Sequence, residues 1–190
     1  MSTSAAARYF GIGPTAASAR PAAEAQVVRQ RKEERTIRNS VIGLVLWVLA
    51  ALVAGWVGSH FVPGEWYASL AKPSWNPPSS VFAPVWTSLY VLMGIAAWLV
   101  WREAGFSGAR VGLSLFIVQL VLNSLWSYLF FGLQRPMIAF VEIIVLWCAI
   151  LVTLVSFWNV RPSAGALLIP YLCWVSFASA LNYQLWRLNV

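Results

Sequence analysis

The sequence predicts an all-α integral membrane protein, a bundle of five transmembrane helices with a Pro/Trp-rich first loop as a lid. The chain has 190 residues, of which 60% are hydrophobic and 10% charged, whereas soluble domains carry about 25% charged residues. Five apolar segments of about 20 residues follow a polar start, and this length suits helices that cross a bilayer. No segment alternates polar and apolar residues as barrel strands do, so each satisfies its backbone as a helix.

The first residues differ from the rest, and we divide the chain into a basic N-terminal extension (1–40) and a membrane domain (41–190). Ala, Ser and two Arg, with no acid before Glu24, are typical of a cleavable targeting segment. Residues 23–39 mix charges densely and predict a surface helix leading to the membrane. The alternative is a disordered tail with a basic anchor beside the membrane. The sequence leaves both open.

The five predicted spans are residues 41–62, 81–101, 111–131, 137–158 and 164–186. In the first, Ala50, Ala54 and Gly58 are four apart, which makes a groove that lets another helix approach closely. Cys148 and Cys173 fall inside spans and are interpreted as buried small hydrophobes. Most basic residues near the membrane lie on the side of the N-terminus, which favours a cytoplasmic or matrix-like location for it.

The first loop, residues 63–80, is unusual because it carries four prolines, two Trp and one Tyr. A merely flexible linker does not need such an aromatic content, so we predict a folded lid over one mouth of the bundle. Trp75 belongs to this lid. For Trp66 and Tyr67 we favour the alternative, anchoring in the lipid headgroup layer.

Few polar side chains lie within the spans. Glu142 is the one acid well inside a span, and it is either a functional group or a protonated structural one. Gln119, Asn123 and Ser127 recur every four residues and share one helix face, and Asn182 adds an amide on the fifth span. These groups either join the helices or line a ligand cavity.

Several aromatic residues lie deep in the spans, where the indole N–H of a Trp needs a partner. Facing inward, they would form a flat-walled apolar pocket for a large planar or rigid ligand. The chain shows no charge ring or carbonyl filter, which argues against ion conduction. These residues are Trp86, Tyr90, Trp126, Tyr171 and Trp174.

The composition excludes several classes of function. The chain has no Asp and a single His, His60, which rules out an Asp-based catalytic triad and a His-rich metal site. We therefore expect no metal, no required cofactor and no nucleic-acid partner. Conventional acid–base catalysis is not expected either.

Three segments resemble the TspO/MBR family, the tryptophan-rich sensory proteins that include the mitochondrial translocator protein (peripheral-type benzodiazepine receptor). They are WYASLAKPSWNPPSSVFAPVWTSLYVLMG (66–94), QLVLNSLWSYLFFG (119–132) and PYLCWVSFASALNYQLWRLN (170–189). The resemblance covers residues 41–189 and implies a five-helix bundle, commonly a homodimer in the lipid bilayer, with a pocket closed by the first loop. It implies binding of protoporphyrin IX, haem and cholesterol-like ligands.

By motif position, the resemblance implies that Trp86 and Trp174 contact the ligand and take part in porphyrin photochemistry. Other pocket positions correspond to Tyr90, Asn123, Trp126, Ala178 and Leu181. Leu181, Tyr183 and Arg187 match the loose sterol-recognition pattern. The sequence departs from the mammalian form at Ile138, where that form has Trp, and at Glu142, where it has Asp, which affects the expected ligand set.

Three functions are compatible with these features. The first is a receptor that binds a tetrapyrrole or sterol to buffer, traffic or sense it. The second is light-dependent porphyrin degradation, and the third is transport of porphyrin or cholesterol. An inverted repeat and paired intramembrane charges, which favour a coupled carrier, are missing from the sequence. The membrane would be mitochondrial or secretory-pathway in a eukaryote and the cell envelope in a bacterium.

Overall fold

The computed structural model describes residues 16–61 and 63–190, and these residues form helices without strands. The helices are α1 (Ala16–Gly58), α2 (Glu65–Ser69), α3 (Ser79–Gly108), α4 (Arg110–Ser127), α5 (Pro136–Val160), α6 (Pro162–Ala166) and α7 (Ile169–Leu188). A π-helical turn, Tyr128–Gly132, extends α4. Five helical segments of the described residues are long and apolar enough to span a membrane, which confirms the predicted five-span fold.

Internal contacts divide the chain into two units, Met1–Val41 and Ile42–Val190. In the first unit, α1 is already helical from Ala16, and its described side chains up to residue 39 are exposed. The first 15 residues of the predicted extension lie outside the described residues. Targeting and anchoring by this extension both stay predictions.

In the second unit, the membrane part of α1 packs closely on α3 and α4. A Cβ at Gly94 would lie 2.5 Å from the Cα of Val48, so only glycine permits this separation of α1 and α3. On the α4 side, the Ser124 hydroxyl donates to the Ala54 carbonyl at 2.9 Å. Gly58 lies against Ser127. The small residues of the first span therefore form a helix contact, as small residues do in membranes.

The remaining helices pack as antiparallel neighbours because their connections are short. Ala109 alone separates α3 from α4, and residues 133–135 join the π-helical turn to α5. Contacts connect α5 with α4, α6 and α7, so α5 lies centrally among these helices. The fully buried side chains include Phe116, Phe157 and Tyr171.

The outer surface is apolar, as a lipid-facing surface must be. Large side chains such as Leu46, Val121 and Val152 are more than half exposed. Cys148 and Cys173 are free and also exposed, so the prediction that they are buried is wrong. They lie in apolar segments because those segments face lipid on one side, and hydrophobicity alone does not distinguish lipid from core.

Residues 63–78, which we call the lid, fold onto the bundle. Trp66 and Tyr67 on α2 pack against Phe130, with ring centroids 5.7 and 6.2 Å apart. These contacts agree with a folded lid, and anchoring of the two residues in the headgroup layer stays a prediction. Lys72 places its ammonium 4.9 Å from the centre of the Tyr67 ring and donates to the Ala68 and Leu70 carbonyls.

Candidate functional site

A continuous series of aromatic rings runs between α3 and α7. On α3, Phe82, Trp86 and Tyr90 are four residues apart and share one face. On α7, Tyr171, Trp174 and Phe177 are three apart and face them. We call these six residues, together with Trp75 of the lid, the aromatic column.

Trp86 is the centre of the aromatic column. Its ring stacks on Tyr90 with centroids 5.6 Å apart and meets the edges of Tyr171 and Trp174 at 6.2 and 6.3 Å. Trp174 in turn contacts Phe82 at 5.8 Å and Phe177 at 5.6 Å. These separations fall in the range of favourable aromatic pairs. The rings therefore fill the space between the two helices with flat apolar faces.

The lid contributes one ring to the column. Trp75 is 47% exposed, and its ring lies 5.7 Å from that of Phe177. It thus connects the surface of the lid with the interior rings of α7. This contact places Trp75 of the lid beside the aromatic column, and its role in ligand binding stays a prediction.

Asn123 on α4 joins the two helices that carry the column. Its Oδ1 accepts a hydrogen bond from the Tyr90 hydroxyl at 2.5 Å, and its Nδ2 donates to the Tyr171 hydroxyl at 3.2 Å. All three side chains are buried. In this arrangement the amide of Asn123 acts between helices, the first of the two alternatives that the sequence left open.

A second group of buried side chains lies beneath the lid and consists of Phe130, Ala139, Leu181 and Leu185, with Trp126 packed against them. We call it the lid cluster. Phe130, from the π-helical turn, is 1% exposed and contacts Trp66 and Tyr67 on one side. On the other side it stacks on Trp126 with centroids 5.2 Å apart. Phe82 and Phe177 of the aromatic column also pack against this cluster, so the lid and the column share side chains.

Trp126 and Asn182 connect α4, α5 and α7 next to the lid cluster. The indole N–H of Trp126 donates to Asn182 Oδ1 at 3.0 Å, and Asn182 Nδ2 donates to the Pro136 carbonyl at 2.8 Å. Asn182 is 1% exposed. This second amide also acts between helices, because both of its polar atoms have protein partners.

Three interior polar groups have no hydrogen-bond partner among the described residues. They are the amide of Gln119, the carboxyl of Glu142 and the indole N–H of Trp174. Buried polar groups are almost always paired with protein or water, so each unpaired one needs an explanation. Glu142 is 8% exposed, and Trp174 belongs to the aromatic column. The unpaired groups are therefore candidates to meet a bound ligand.

The remaining predicted site residues are distributed over two surfaces. Leu181 is 5% exposed and belongs to the lid cluster, and Ala178 packs against the main core. Tyr183 and Arg187 are exposed instead. The Tyr183 ring contacts Phe140 at 5.3 Å and Trp186 at 6.0 Å. The sterol pattern is thus divided between an inward Leu181 and an outward Tyr183 and Arg187.

The sequence reasoning missed four residues of this region. Phe82 and Phe177 extend the column, Phe130 supports the lid, and Asn189 binds the lid backbone. The two column residues had a signal, since they lie four residues before Trp86 and three after Trp174 on the same helix faces. For Phe130 the residue spacing gave no such signal, because the π-helical turn changes which residues face inward.

The site could hold a ligand through its aromatic rings and a few isolated polar groups. Within residues 16–61 and 63–190, no three His, Cys, Asp or Glu side chains come together as a metal site would require. The chemistry available at the column is stacking, apolar contact and hydrogen bonding from the indole N–H of Trp174. This set suits a large flat molecule that bears a few polar substituents.

Comparison with known proteins agrees with this architecture. The model of the TspO/MBR family matches residues 44–187. The tryptophan-rich protein TspO of Chlorobaculum tepidum is 43% identical over 160 residues, which cover 80% of this chain and 99% of the relative. The translocator protein of Homo sapiens is 44% identical over 148 residues, 75% and 88% of the two chains. For the protein CrtK of Rhodobacter capsulatus the identity is 41% over 148 residues, 76% and 91% of the two chains.

The family match leaves residues 1–43 and 188–190 outside. The lid, the aromatic column and helices α3 to α6 lie entirely within the matched region, and α1 and α7 lie partly within it. The chain is a multi-pass membrane protein and belongs to the TspO/MBR family.

Proposed function

We propose that this protein is a membrane receptor for tetrapyrroles, such as protoporphyrin IX or haem, and for sterol-like ligands. The observation that carries the proposal is the position of Trp86, which contacts three other rings beside the unpaired indole N–H of Trp174. A flat aromatic ligand gains most from such an environment because stacking and apolar burial act together.

Insertion of a macrocycle needs a rotation of the rings. Trp86 and Trp174 have centroids 6.3 Å apart and planes at 88°. A flat ring between two parallel ones needs about 7 Å between them, twice the contact distance of carbon atoms. If one indole turned until the two rings were parallel, their 6.3 Å separation would supply most of the 7 Å that one edge of the macrocycle needs. The neighbouring rings of the column must shift as well.

The polar groups fit a porphyrin with carboxylate side chains only in part. The Trp174 N–H and the Gln119 amide are donors without a protein acceptor and suit a propionate or a hydroxyl. Asn123 and Asn182, for which the sequence left open a place in the cavity lining, each form hydrogen bonds between helices. Each Nδ2 retains a second hydrogen, so a ligand contact adds to these bonds instead of replacing them.

The lid supports entry of the ligand through one mouth of the bundle. It packs on the lid cluster, and Trp75 reaches Phe177 of the column. Opening the lid would expose Phe177 and Phe82 without disturbing the buried bonds of Asn123. For the sterol-like ligand, the exposed Tyr183 and Arg187 offer a ring and a charge at the outer surface. We expect a homodimer in the membrane of an organelle or a cell envelope.

Titration with protoporphyrin IX tests the proposal. The variant W86F/W174F should weaken binding to the detergent-solubilised protein about tenfold, because two stacking faces and the Trp174 donor are reduced. The matched control W56F changes a Trp that is 64% exposed on the outer surface and should bind as wild type. Binding is followed by the shift of the porphyrin Soret band, since that readout does not depend on the number of Trp residues.

If W86F/W174F binds protoporphyrin IX as tightly as W56F, the aromatic column is not the tetrapyrrole site. If both variants weaken binding alike, the ligand binds at the lipid-facing surface. Unchanged thermal unfolding of W86F/W174F shows that a loss of binding does not come from misfolding.

A second candidate function is light-dependent degradation of the porphyrin. The adjacency of Trp86 and Trp174 favours it, because an excited porphyrin between them would contact two oxidisable indoles. Illumination of the complex in air should then produce a bilin-like absorbance that W86F/W174F lacks. Illumination without a new absorbance band, with or without oxygen, excludes this activity.

A further inference from the structure

The segment of α1 that precedes the membrane carries a group of positive charges outside the family match. Arg29, Arg31, Lys32, Arg35 and Arg38 lie within ten residues, together with Glu33 and Glu34. All seven side chains are exposed. This group has no role in the proposed function, because the aromatic column and the lid belong to residues 42–190.

The charges of this segment are not evenly balanced. Arg29 pairs with Glu33 at 3.1 Å, while Arg35 and Arg38 form no ion pair with any described residue. Glu33 and Glu34 precede Arg35, and no acid occurs between Arg35 and Val41, where the apolar run begins. The charged residues in the last turns before the apolar run are therefore all basic.

Helix geometry places these two charges at the level of lipid headgroups. With a rise of 1.5 Å per residue, Arg38 and Arg35 lie about 4.5 and 9 Å from Val41 along the axis, and Arg31 and Arg29 about 15 and 18 Å. A headgroup layer extends about 5–8 Å beyond the hydrocarbon, and salt screens charges over about 8 Å. Arg38 lies within this layer and Arg35 within about 4 Å of it, whereas Arg31 and Arg29 lie about 7–13 Å beyond it, at or past the screening length.

We propose that Arg35 and Arg38 bind the phosphate groups of anionic lipids in the leaflet where α1 enters the bilayer. Guanidinium groups donate in a fork that fits phosphate oxygens, and basic segments beside a span attract anionic lipids. The occupant is a lipid headgroup and not a free anion. The lipid is already concentrated at that level of the helix, and the site has no enclosing walls, because both side chains are exposed.

The test measures lipid selectivity of the full chain. The protein is reconstituted in phosphatidylcholine vesicles with one tenth phosphatidylserine and extracted with its surrounding lipids into polymer-bounded discs. The phosphatidylserine content of the discs is then compared with that of the vesicles by mass spectrometry. Wild type should enrich phosphatidylserine about twofold, and 1 M salt should remove the enrichment.

Two double variants test whether lipid selection depends on the distance of the arginines from the bilayer or on the total charge of the helix. R35Q/R38Q and R29Q/R31Q each remove two arginines from the same helix. R35Q/R38Q should lose about half of the enrichment or more, while R29Q/R31Q should keep nearly all of it. Equal losses in the two variants would show that only total charge matters, and no loss in either would show that other basic residues select the lipid. Either result overturns the proposal.

A competition arm distinguishes the source of the phosphate. Inorganic phosphate at 10 mM, added at constant ionic strength, should leave the enrichment unchanged if headgroups in the bilayer are bound. A collapse of the enrichment under these conditions would assign the site to a free anion and overturn the proposal. Thermal unfolding of both variants should match wild type because the substitutions lie outside residues 42–190.

Discussion

The side-chain amide of Asn189 forms a pair of hydrogen bonds with the backbone of Ala71, 118 residues away in the sequence. Oδ1 accepts from the Ala71 N–H at 2.9 Å, and Nδ2 donates to the Ala71 carbonyl at 3.0 Å. Nδ2 also donates to the Leu185 carbonyl at 2.8 Å, which holds the amide on the end of α7. One residue at the C-terminus of the bundle thus binds the middle of the lid.

The substitution N189A should loosen the lid. Loss of two hydrogen bonds, each contributing about 0.5–1.5 kcal/mol, should raise the opening rate of the lid about tenfold. Amide hydrogen exchange of residues 64–76 measures this without any ligand, and dissociation of protoporphyrin IX should accelerate to a similar degree. The control N159A replaces an exposed Asn and should change neither the exchange of the lid amides nor the dissociation of protoporphyrin IX. Exchange in N189A that equals wild type would show that ring packing alone closes the lid.

The substitution N123L should destabilise the bundle because it leaves the buried hydroxyls of Tyr90 and Tyr171 without their partner. We expect a loss of about 3 kcal/mol in the free energy of unfolding. The triple variant Y90F/N123L/Y171F removes all three polar groups and should recover more than half of that loss. Unfolding in mixed micelles measures both. A triple variant less stable than N123L would contradict the assignment of this group as a satisfied polar network.

Close packing of α1 on α3 depends on the absence of a side chain at position 94. The substitution G94A would place a Cβ 2.5 Å from the Cα of Val48, and the backbone must move to avoid it. We expect a destabilisation of about 1–3 kcal/mol. The control G64A adds the same methyl group where no atom lies within 4 Å, and thermal unfolding should separate the two. Equal melting temperatures would show that α1 shifts freely.

The lid should open at high pH. Burial raises the pKa of the Tyr67 phenol above its usual 10.0 while the lid is closed. Below pH 10 the phenol is neutral in both states and the closed lid is favoured. Above it, the open lid ionises first, so closure weakens as the pH rises through the two pKa values. Difference absorbance at 295 nm between wild type and Y67F should show ionisation displaced above pH 10. A midpoint at 10 would show that the lid does not bury Tyr67.

The five spans were predictable because a run of about 20 apolar residues has few alternatives to a membrane helix. The same runs did not show which face of a helix meets lipid and which meets protein. Cys148 and Cys173 illustrate this, since both are exposed although their helices also carry buried apolar residues. In a bilayer the two environments are equally apolar, so hydrophobicity carries no information about the choice.

The aromatic column was predictable in part. Trp86, Tyr90, Tyr171 and Trp174 stand at helical spacing in a sequence with few other inward candidates, and the structure brings them into contact. Trp126 was expected in the same pocket, yet it stacks on Phe130 in the lid cluster. The π-helical turn that presents Phe130 depends on backbone hydrogen bonding, which residue spacing does not reveal.

Five membrane spans, with aromatic and amide groups inside them, follow from the residues alone, because apolar length and residue type act locally. The packed helices were needed to show that Asn123 and Asn182 join helices, that Glu142 and Trp174 keep unpaired polar groups, and that Asn189 holds the lid. Such roles depend on which atoms meet across residues distant in the sequence, and each hydrogen bond exists only once the helices have packed.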